Sequence, residues 1–584
     1  MLTSILLSVG GAAVGTAGGV SIQLQPVDYL ILCVYLAFVV GIGFALQRHN
    51  RTSEEFLLSG RSLPGWVTGL AFISANLGAQ ELIGMAASGA QYGIMTAHFY
   101  WVGAIPAMVF LGVFMMPMYY GSKARSVPEY LKLRFDERTR AFNSYSFAVM
   151  TISSSGISMH VLADLINRLL GWDYTLCLVV TSVIVLVYVL KGGLTSAMYT
   201  EVLQFFMIVF GIAPLAWIAL RDLGGWDGLV AKLTATKPEA LHSWAGTSGT
   251  DNAMGVEWYG ILIGLGFVLS FGYWCTNFAE VQRAMVAKDM GAARRTPIIG
   301  AIPKMLFPAV VILPGLVAFA LTGDGQGYEL PTKDGVANYN QVLPSMLLHY
   351  FPSGMLGLAL TALMASFMSG MAANVTAFNT VWTYDIYQST LGRGKDDAHL
   401  LRMGKYATVF GILASMAFAF VAAQYNNILS ILQLVFGFVN APLFATFLLG
   451  MFTRRASSRG ALAGLVTGTT AALLYHGFSH AAANPLGLKG GWLAQLLGQP
   501  APFTLGTELA QAFWLATVAF SVTFVVNLAT SLATGREKSD AELTGLVYSL
   551  TPKPVETDEP FLLRPAVLGS LVLAVAVFLN WYFW

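Results

Sequence analysis

Runs of about twenty mainly apolar residues recur along the whole sequence, and a helix needs such a run to cross the ~30 Å hydrocarbon core of a bilayer. They fall near 28–47, 63–90, 97–120, 141–170, 173–192, 198–220, 257–281, 299–322, 342–386, 402–422, 428–452, 458–478, 506–534 and 563–583, about fourteen spans in all. Hydrophobic residues make up 56% of the 584 and charged residues only 11%. A soluble domain carries about a quarter charged residues. Too few charges are present to coat a water-facing surface, so the lipid bilayer is the expected solvent and partner. An all-α membrane protein follows. The net charge of +2 argues against a nucleic-acid partner. Cys33, Cys177 and Cys275 all sit in apolar runs and read as helix-packing residues. No nucleophile–base–orienter set, metal spacing or phosphate loop is seen, so an enzyme is not expected.

Basic loops orient a membrane protein, because Lys and Arg favour the cytoplasmic side. Arg48, Arg51 and Arg61 form one such loop, and Lys123 through Arg140 another. Arg283, Lys288, Arg294 and Arg295 form a third, and Arg393 through Lys405 a fourth. Arg454, Arg455 and Arg459, then Arg536 and Lys538, complete the series. One strict alternation places these inside and both termini outside, in a multi-pass protein of the plasma membrane. Residues 1–27 lack the basic start of a signal peptide and read as a loose or surface-lying tail. The closing Trp581 to Trp584 cluster suits an interfacial aromatic belt.

Two spans are wrong for plain helices. The second contains SANLGAQELIGM, Ser74 to Met85, and the seventh LSFGYWCTNF, Leu269 to Phe278. Both set Gly and polar residues in the middle of apolar sequence. They occupy corresponding places if spans two to six and seven to eleven are copies of one unit. Paired interruptions in matching halves point to a transport site, where unwound backbone frees carbonyls for a cation. The division that follows is a tail at 1–27, a flanking helix and loop at 28–62 and a first repeat at 63–222. An extracellular loop at 223–256, a second repeat at 257–452 and flanking helices at 453–584 complete it.

A carboxylate at mid-membrane costs roughly 3 kcal/mol on insertion scales, so Glu81 should face a cavity, a partner or a substrate. Lys304, in AIPKMLFP, reads as the Lys or Arg that lies within a span rather than at its edge. The two could pair for purely structural reasons. A polar site shared with a solute is favoured, because Tyr100, Ser270 and Gln433 add neutral hydrogen-bonding groups. Glu201 and Asp164 sit near span ends and read as solvated, and His98 and His160 as satisfied interior histidines. Ser366 and Ser369 in the ninth span could offer oxygens to a hard cation, although serines serve as helix–helix glue as often.

Several ordered stretches resemble the sodium/solute symporter family, nearest its sodium/sugar cotransporter branch. They are RSLPGW (Arg61 to Trp66), SANLGAQELIGM, SVPEYLKLRF (Ser126 to Phe135), GGLTSAMYTEVLQ (Gly192 to Gln204), YWCTNFAEVQR (Tyr273 to Arg283), TYDIY (Thr383 to Tyr387) and FLLGMFTRR (Phe447 to Arg455). The resemblance implies a five-plus-five inverted-repeat core with flanking helices. It implies a sodium site at the carbonyls of Ser74 and Leu77, with Ser366 and Ser369 from the ninth span. Gly370 stands where the family usually carries a hydroxyl, and Ala372 and Ala373 stand where some members bind a second sodium. Substrate positions carried over are Glu81, Tyr100, Gly103, Ser270, Lys304 and Gln433. Lys304 and Gln433 keep the residue types of a sugar-transporting member. Glu81, Tyr100, Gly103 and Ser270 replace its Gln, Glu, Ser and Asn. Tyr273 matches the aromatic that underlies the sugar and bars the inward path, and Met85, Phe99 and Leu429 match the outer lid.

The function this implies is sodium-coupled import of a small polar solute, a sugar or polyol, by alternating access, with Na+ as coupling ion and a monomer as working unit. Proton coupling through Glu81 or Glu201 stays open, as does a cationic amine or a carboxylate as solute. A sensor built on a transporter fold is the alternative of another class. Such proteins usually append a signalling domain, which is not expected here.

Overall fold

Polar residues at the ends of the apolar runs start the helices. Asp136 accepts from the Thr139 N–H at 2.8 Å and opens Glu137–Leu170. Asp289 does the same for Met290–Lys304, and Asn427 for Ile428–Phe452. Each such cap satisfies backbone donors that the first helical turn leaves unpaired. A computed structural model describes residues 16–17, 20–21, 24–46, 59–246, 248–322, 328–333, 335–425, 427–554 and 560–584. The tail reading for 1–27 lies for the most part outside these residues, as do Arg48 and Arg51.

The protein is all-α in its membrane part. Among the described residues ten helices are long and apolar enough to cross a bilayer, and two bent pairs raise the number to twelve. Two shorter apolar helices, Pro26–Val39 and Tyr174–Leu186, coincide with further expected spans. The described strands are three short pairs outside these helices, of which Ser479–Ala481 with Phe503–Leu505 is parallel.

Four spans differ from expectation. The ninth, read as 342–386, is two helices, Val342–Tyr350 and Met355–Gln388. Pro352 and Gly354, the latter at φ 86°, stop one and start the other. The eighth bends by 41° between Met290–Lys304 and Pro308–Leu321, where Pro308 lacks the N–H that would continue the ladder. The fifth and sixth merge in one helical run, Tyr174–Asp222, of 49 residues. At ~1.5 Å per residue a straight rod of that size would be more than twice the thickness of the hydrocarbon core. Its apolar parts are separately Tyr174–Leu186 and Leu194–Asp222. Cys177 and Cys275 are buried, but Cys33 is exposed rather than packed.

Burial separates core from rim. In Met355–Gln388, 89% of the most apolar stretch is buried, against 22% in Pro565–Tyr582. The interior helices carry the breaks. Gly65–Asn76 packs against Tyr174–Asp222, Phe278–Met285, Met290–Lys304 and Met355–Thr380. The C-terminal aromatic cluster leaves Trp581 and Trp584 exposed, and the Phe583 carbonyl accepts from the Ser243 N–H at 2.7 Å. The core is the five-plus-five inverted repeat with flanking helices, each half opening on an interrupted helix.

Candidate functional site

The first interruption falls at Leu77–Gly78. The Leu77 N–H still reaches the carbonyls of Ile73 and Ser74, Gly78 is extended, and the chain resumes at Ala79 after a 57° bend. Backbone groups freed there must find partners, since buried unpaired carbonyls are costly. Met355–Gln388 supplies them. The Ser369 hydroxyl donates to the Ser74 carbonyl at 2.9 Å, and the Ser366 hydroxyl to the Leu77 carbonyl at 2.5 Å. The Ser74 hydroxyl lies 3.1 Å from that of Ser369. Gly370 lets the two segments approach, because a Cβ there would come within 3.0 Å of the Gly78 Cα. The four residues expected to hold sodium thus form one cluster of buried oxygens.

The second interruption is at Asn277. Helix Trp258–Thr276 stops, Asn277 is extended, and its side chain caps Phe278–Met285 by accepting from the Ala279 N–H at 3.0 Å. Tyr273 sits one turn before this break.

Between the breaks lies a small cavity. Its polar lining is Glu81, Tyr100, Ser270, Tyr273, Lys304 and Gln433, together with Asn76 and Gln80. Its apolar lining includes Met85, Phe99 and Leu429, and also Trp274, Leu432 and Phe436. Every residue expected to touch solute or to form the lid lines this one space, except Gly103. A Cβ at Gly103 would meet the Ser270 hydroxyl at 2.2 Å, so glycine there makes room for Ser270.

Charge in the cavity is paired. Lys304 Nζ lies 2.6 Å from Glu81 Oε1 and also donates to Asn76 Oδ1. Tyr100 donates to the same Glu81 oxygen at 2.7 Å. The Lys304 ammonium stands 4.7 Å above the Tyr100 ring and 5.3 Å above that of Trp274, which adds cation–π attraction. Asn76 donates to the Tyr273 hydroxyl at 3.2 Å, and that hydroxyl donates to Glu280 at 2.5 Å. The Tyr273 and Phe436 rings are 4.7 Å apart and make an aromatic wall. Gln80 is held by Ser154 and Ser158 at 3.3 and 2.9 Å. The arrangement can hold a small polar molecule by hydrogen bonds, with an aromatic face against its apolar side.

Other ionisable residues depart from the reading above. Glu201, expected to be solvated, is fully buried against Arg283 at 2.5 Å, and both side chains are 0% exposed. Arg283 is therefore a helix residue and not part of a basic loop, and Arg134 and Arg140 are buried as well. The reason is tertiary, since a partner from a distant segment reaches each one. Asp164 is half-buried and accepts from Gln341. His98 Nε2 meets the Ser243 carbonyl, but its buried Nδ1 has no hydrogen-bond partner among the described residues, so His98 is interior and only half satisfied. His160 Nδ1 meets the Tyr174 hydroxyl.

Asn76, Gln80, Trp274, Phe436 and Glu280 escaped the sequence reading. Four of them lie inside motifs already quoted, where polarity at a helix break was the available signal. Phe436, in an ordinary apolar run, gave none.

Comparison with known proteins adds the following. The sequence profile of the sodium:solute symporter family matches residues 56–468. A sodium/glucose cotransporter of Vibrio parahaemolyticus is 27% identical over 467 residues, 77% of this chain and 85% of that protein. Sodium/glucose cotransporter 2 of Rattus norvegicus is 28% identical over 476 residues, 76% of this chain and 70% of that one. Among solved structures, a Na+-coupled sialic acid symporter in a substrate-bound outward-open state aligns with a TM-score of 0.72 at 19% identity. That alignment covers 88% of this chain and 100% of that one.

Proposed function

The chain belongs to the sodium:solute symporter family, and from that premise we propose that the cavity between the two helix breaks binds a neutral, polyhydroxylated solute such as a sugar or polyol. The protein is a sodium-coupled symporter of a small solute, not an enzyme, with sodium as the coupling ion. The observation that carries the choice of solute is the Glu81–Lys304 pair. A cationic amine would want a free carboxylate, and a carboxylate solute a free ammonium. Here each charge is already matched by the other, and Tyr100 adds a hydrogen bond to Glu81 as Asn76 does to Lys304. What remains for the solute carries no net charge: the second Glu81 oxygen, whose charge Lys304 balances, with Gln433, Ser270 and the aromatic faces of Tyr273 and Phe436.

Sodium enters as co-substrate. The carbonyls of Ser74 and Leu77 with the hydroxyls of Ser366 and Ser369 are hard oxygen donors of the kind such a cation takes. The Ser74 hydroxyl, 3.1 Å from that of Ser369, adds an oxygen to the cluster. An ion there would tie the first broken helix to Met355–Gln388 and so favour one state of the transporter. Solute bound across both breaks favours the same state, so each ligand raises the other's affinity. Met85, Phe99 and Leu429 then close the outer side, and Tyr273 bars the inner one until sodium leaves. A membrane potential adds roughly 2.3 kcal/mol per 100 mV for each sodium moved inward.

The unit proposed is a monomer in the plasma membrane with both termini outside. Its repeats are 63–222 and 257–452, flanked by 28–62 and 453–584, with 223–256 as an extracellular loop. The test is counterflow in proteoliposomes over sugars, polyols, carboxylates and amines, with sodium or choline. Sodium-dependent counterflow of a neutral polyol or sugar is expected. Counterflow confined to amines or carboxylates would overturn the assignment.

A further inference from the structure

Among the described residues three carboxylates, Glu81, Glu201 and Glu280, lie buried around the breaks, and two buried cations pair with the first two. Lys304 is committed to Glu81 and Asn76. The Arg283 guanidinium is spent on both oxygens of Glu201, at 2.5 and 3.3 Å, on the Ala279 carbonyl and on Gln282. Glu280 is left over. It is 2% exposed, and among the described residues it makes no ion pair. One oxygen accepts from the Tyr273 hydroxyl at 2.5 Å, and the other has no hydrogen-bond partner there. The packed segments Gly65–Asn76 and Met355–Thr380 carry no ionisable side chain. From Met116–Gly121, Tyr119 turns its hydroxyl to the Cys275 carbonyl and Tyr120 to that of Ala287. Met290–Lys304, packed there as well, carries Arg294, Arg295 and Lys304, of which Lys304 acts on Glu280. The charges acting on Glu280 are thus Arg283 and Lys304, opposed by Glu201, with Arg283 matched by Glu201 and Lys304 by Glu81. A bare carboxylate in such a place has neither water nor a counter-ion, and a group so placed takes up a proton.

We propose that Glu280 is a proton-binding site behind the Tyr273 gate, filled while Tyr273 bars the cavity and emptied when Tyr273 moves away. This rests on the reading of Tyr273 as gate given above. The proton sits on Oε2, since Oε1 accepts from Tyr273. When the tyrosine leaves and water enters, Oε2–H gives its proton to water and the carboxylate is hydrated. The protonated form belongs to the closed gate, which sodium also favours. By linkage, proton and sodium therefore raise each other's affinity. The sign is diagnostic, because simple competition of protons for a cation site would weaken sodium at low pH.

The test uses the full-length protein in detergent, with sodium chloride against choline chloride as probe, from about pH 6 to 9. Infrared difference spectra should contain the carbonyl stretch of a buried protonated carboxyl that disappears as pH rises and is missing in Glu280→Gln. Tryptophan fluorescence reads the gate, since the Trp274 and Tyr273 rings are 5.2 Å apart. The half-saturating sodium concentration should rise at least about fivefold across that range in the wild type and stay flat in Glu280→Gln. If Glu280→Gln does not fold, Tyr273→Phe keeps the carboxyl and should shift the pH at which the band disappears. A carboxyl band unchanged in Glu280→Gln, no such band at any pH, or sodium binding weaker at low pH would each overturn the inference. A wild type that ignores sodium altogether would count against the assigned ion cluster instead, and the infrared band would still decide Glu280.

Discussion

Among the buried carboxylate–cation pairs of the described residues, two differ sharply in their surroundings. Glu201–Arg283 joins Tyr174–Asp222 to the segment after the second break, with both side chains 0% exposed. Glu81–Lys304 joins the segment after the first break to Met290–Lys304, with side chains 9% and 2% exposed. In the first pair the guanidinium takes the carboxylate with two nitrogens, and its other donors go to protein oxygens. No cavity touches it among those described. In the second a single Glu81 oxygen receives both Lys304 and Tyr100, and the pair lines the cavity. Similar chemistry thus serves two ends. An ion pair sealed in protein holds segments together, and an ion pair beside an empty space sets the electrostatics of what enters it.

The sealed pair should show the largest effect. Removing one partner leaves an uncompensated buried charge, which costs about 3–5 kcal/mol. Arg283→Ala or Glu201→Ala should therefore abolish monodisperse protein in size-exclusion chromatography. Replacing both, as Glu201→Leu with Arg283→Met, should restore part of the folded yield, because no bare charge then remains. Full folding of either single variant would contradict the contrast drawn here.

Glu81→Gln should behave differently. Glutamine keeps an oxygen for Lys304 and Tyr100 but frees the ammonium's charge to act in the cavity. Folded protein should survive, affinity for a neutral solute should fall by about tenfold, near 1.4 kcal/mol, and binding of carboxylates should improve. Competition binding over the same solute panel reads this. Loss of folded protein with no change in selectivity would make this pair structural too.

The sequence announced these two pairs unequally. Glu81 and Lys304 stood out because each interrupts an apolar run, and the polar, Gly-rich stretches at 74–85 and 269–278 marked the breaks beside them. Burial of Glu201 and Arg283 did not stand out, because both lie near apparent span ends, where local pattern suggests water. Only tertiary approach reveals that they meet. The same limit applies to Phe436 and to the split of 342–386, where Pro352 and Gly354 in an otherwise apolar stretch read as tolerable. The general architecture was legible because bilayer thickness imposes a length on every span. The partner of each polar group was not, because pairing depends on how distant segments pack.

The oxygen cluster at the first break carries no formal charge of its own, and its variants should act more weakly. Ser369→Ala removes one hydroxyl that holds the Ser74 carbonyl at 2.9 Å. A net hydrogen bond contributes about 1 kcal/mol. The half-saturating sodium concentration should rise by about fivefold, while solute affinity at saturating sodium stays near the wild-type value. An unchanged sodium dependence would remove Ser369 from the ion site.

The smallest effect belongs to a pair in water. Arg125, just before the N-cap Ser126, and Glu129, in the first turn of the helix Val127–Arg134 outside the spans, form an i,i+4 bridge at 2.9 Å, with side chains 39% and 23% exposed. Burial pushes the Glu129 carboxyl up, but the hydrogen bond and charge of Arg125 outweigh it and hold the carboxyl below the usual carboxylate range. A depressed value means that the stabilisation is present above the ordinary carboxylate pKa of about 4.3 and is lost as pH falls through the lower, folded value. Exposed pairs contribute about 0–1 kcal/mol. Glu129→Gln should therefore lower the thermal midpoint slightly at neutral pH, and the difference from wild type should vanish in acid, where Glu129 itself is neutral. A loss as large as that of the Glu201 variants would mean that solvent exposure does not separate these pairs.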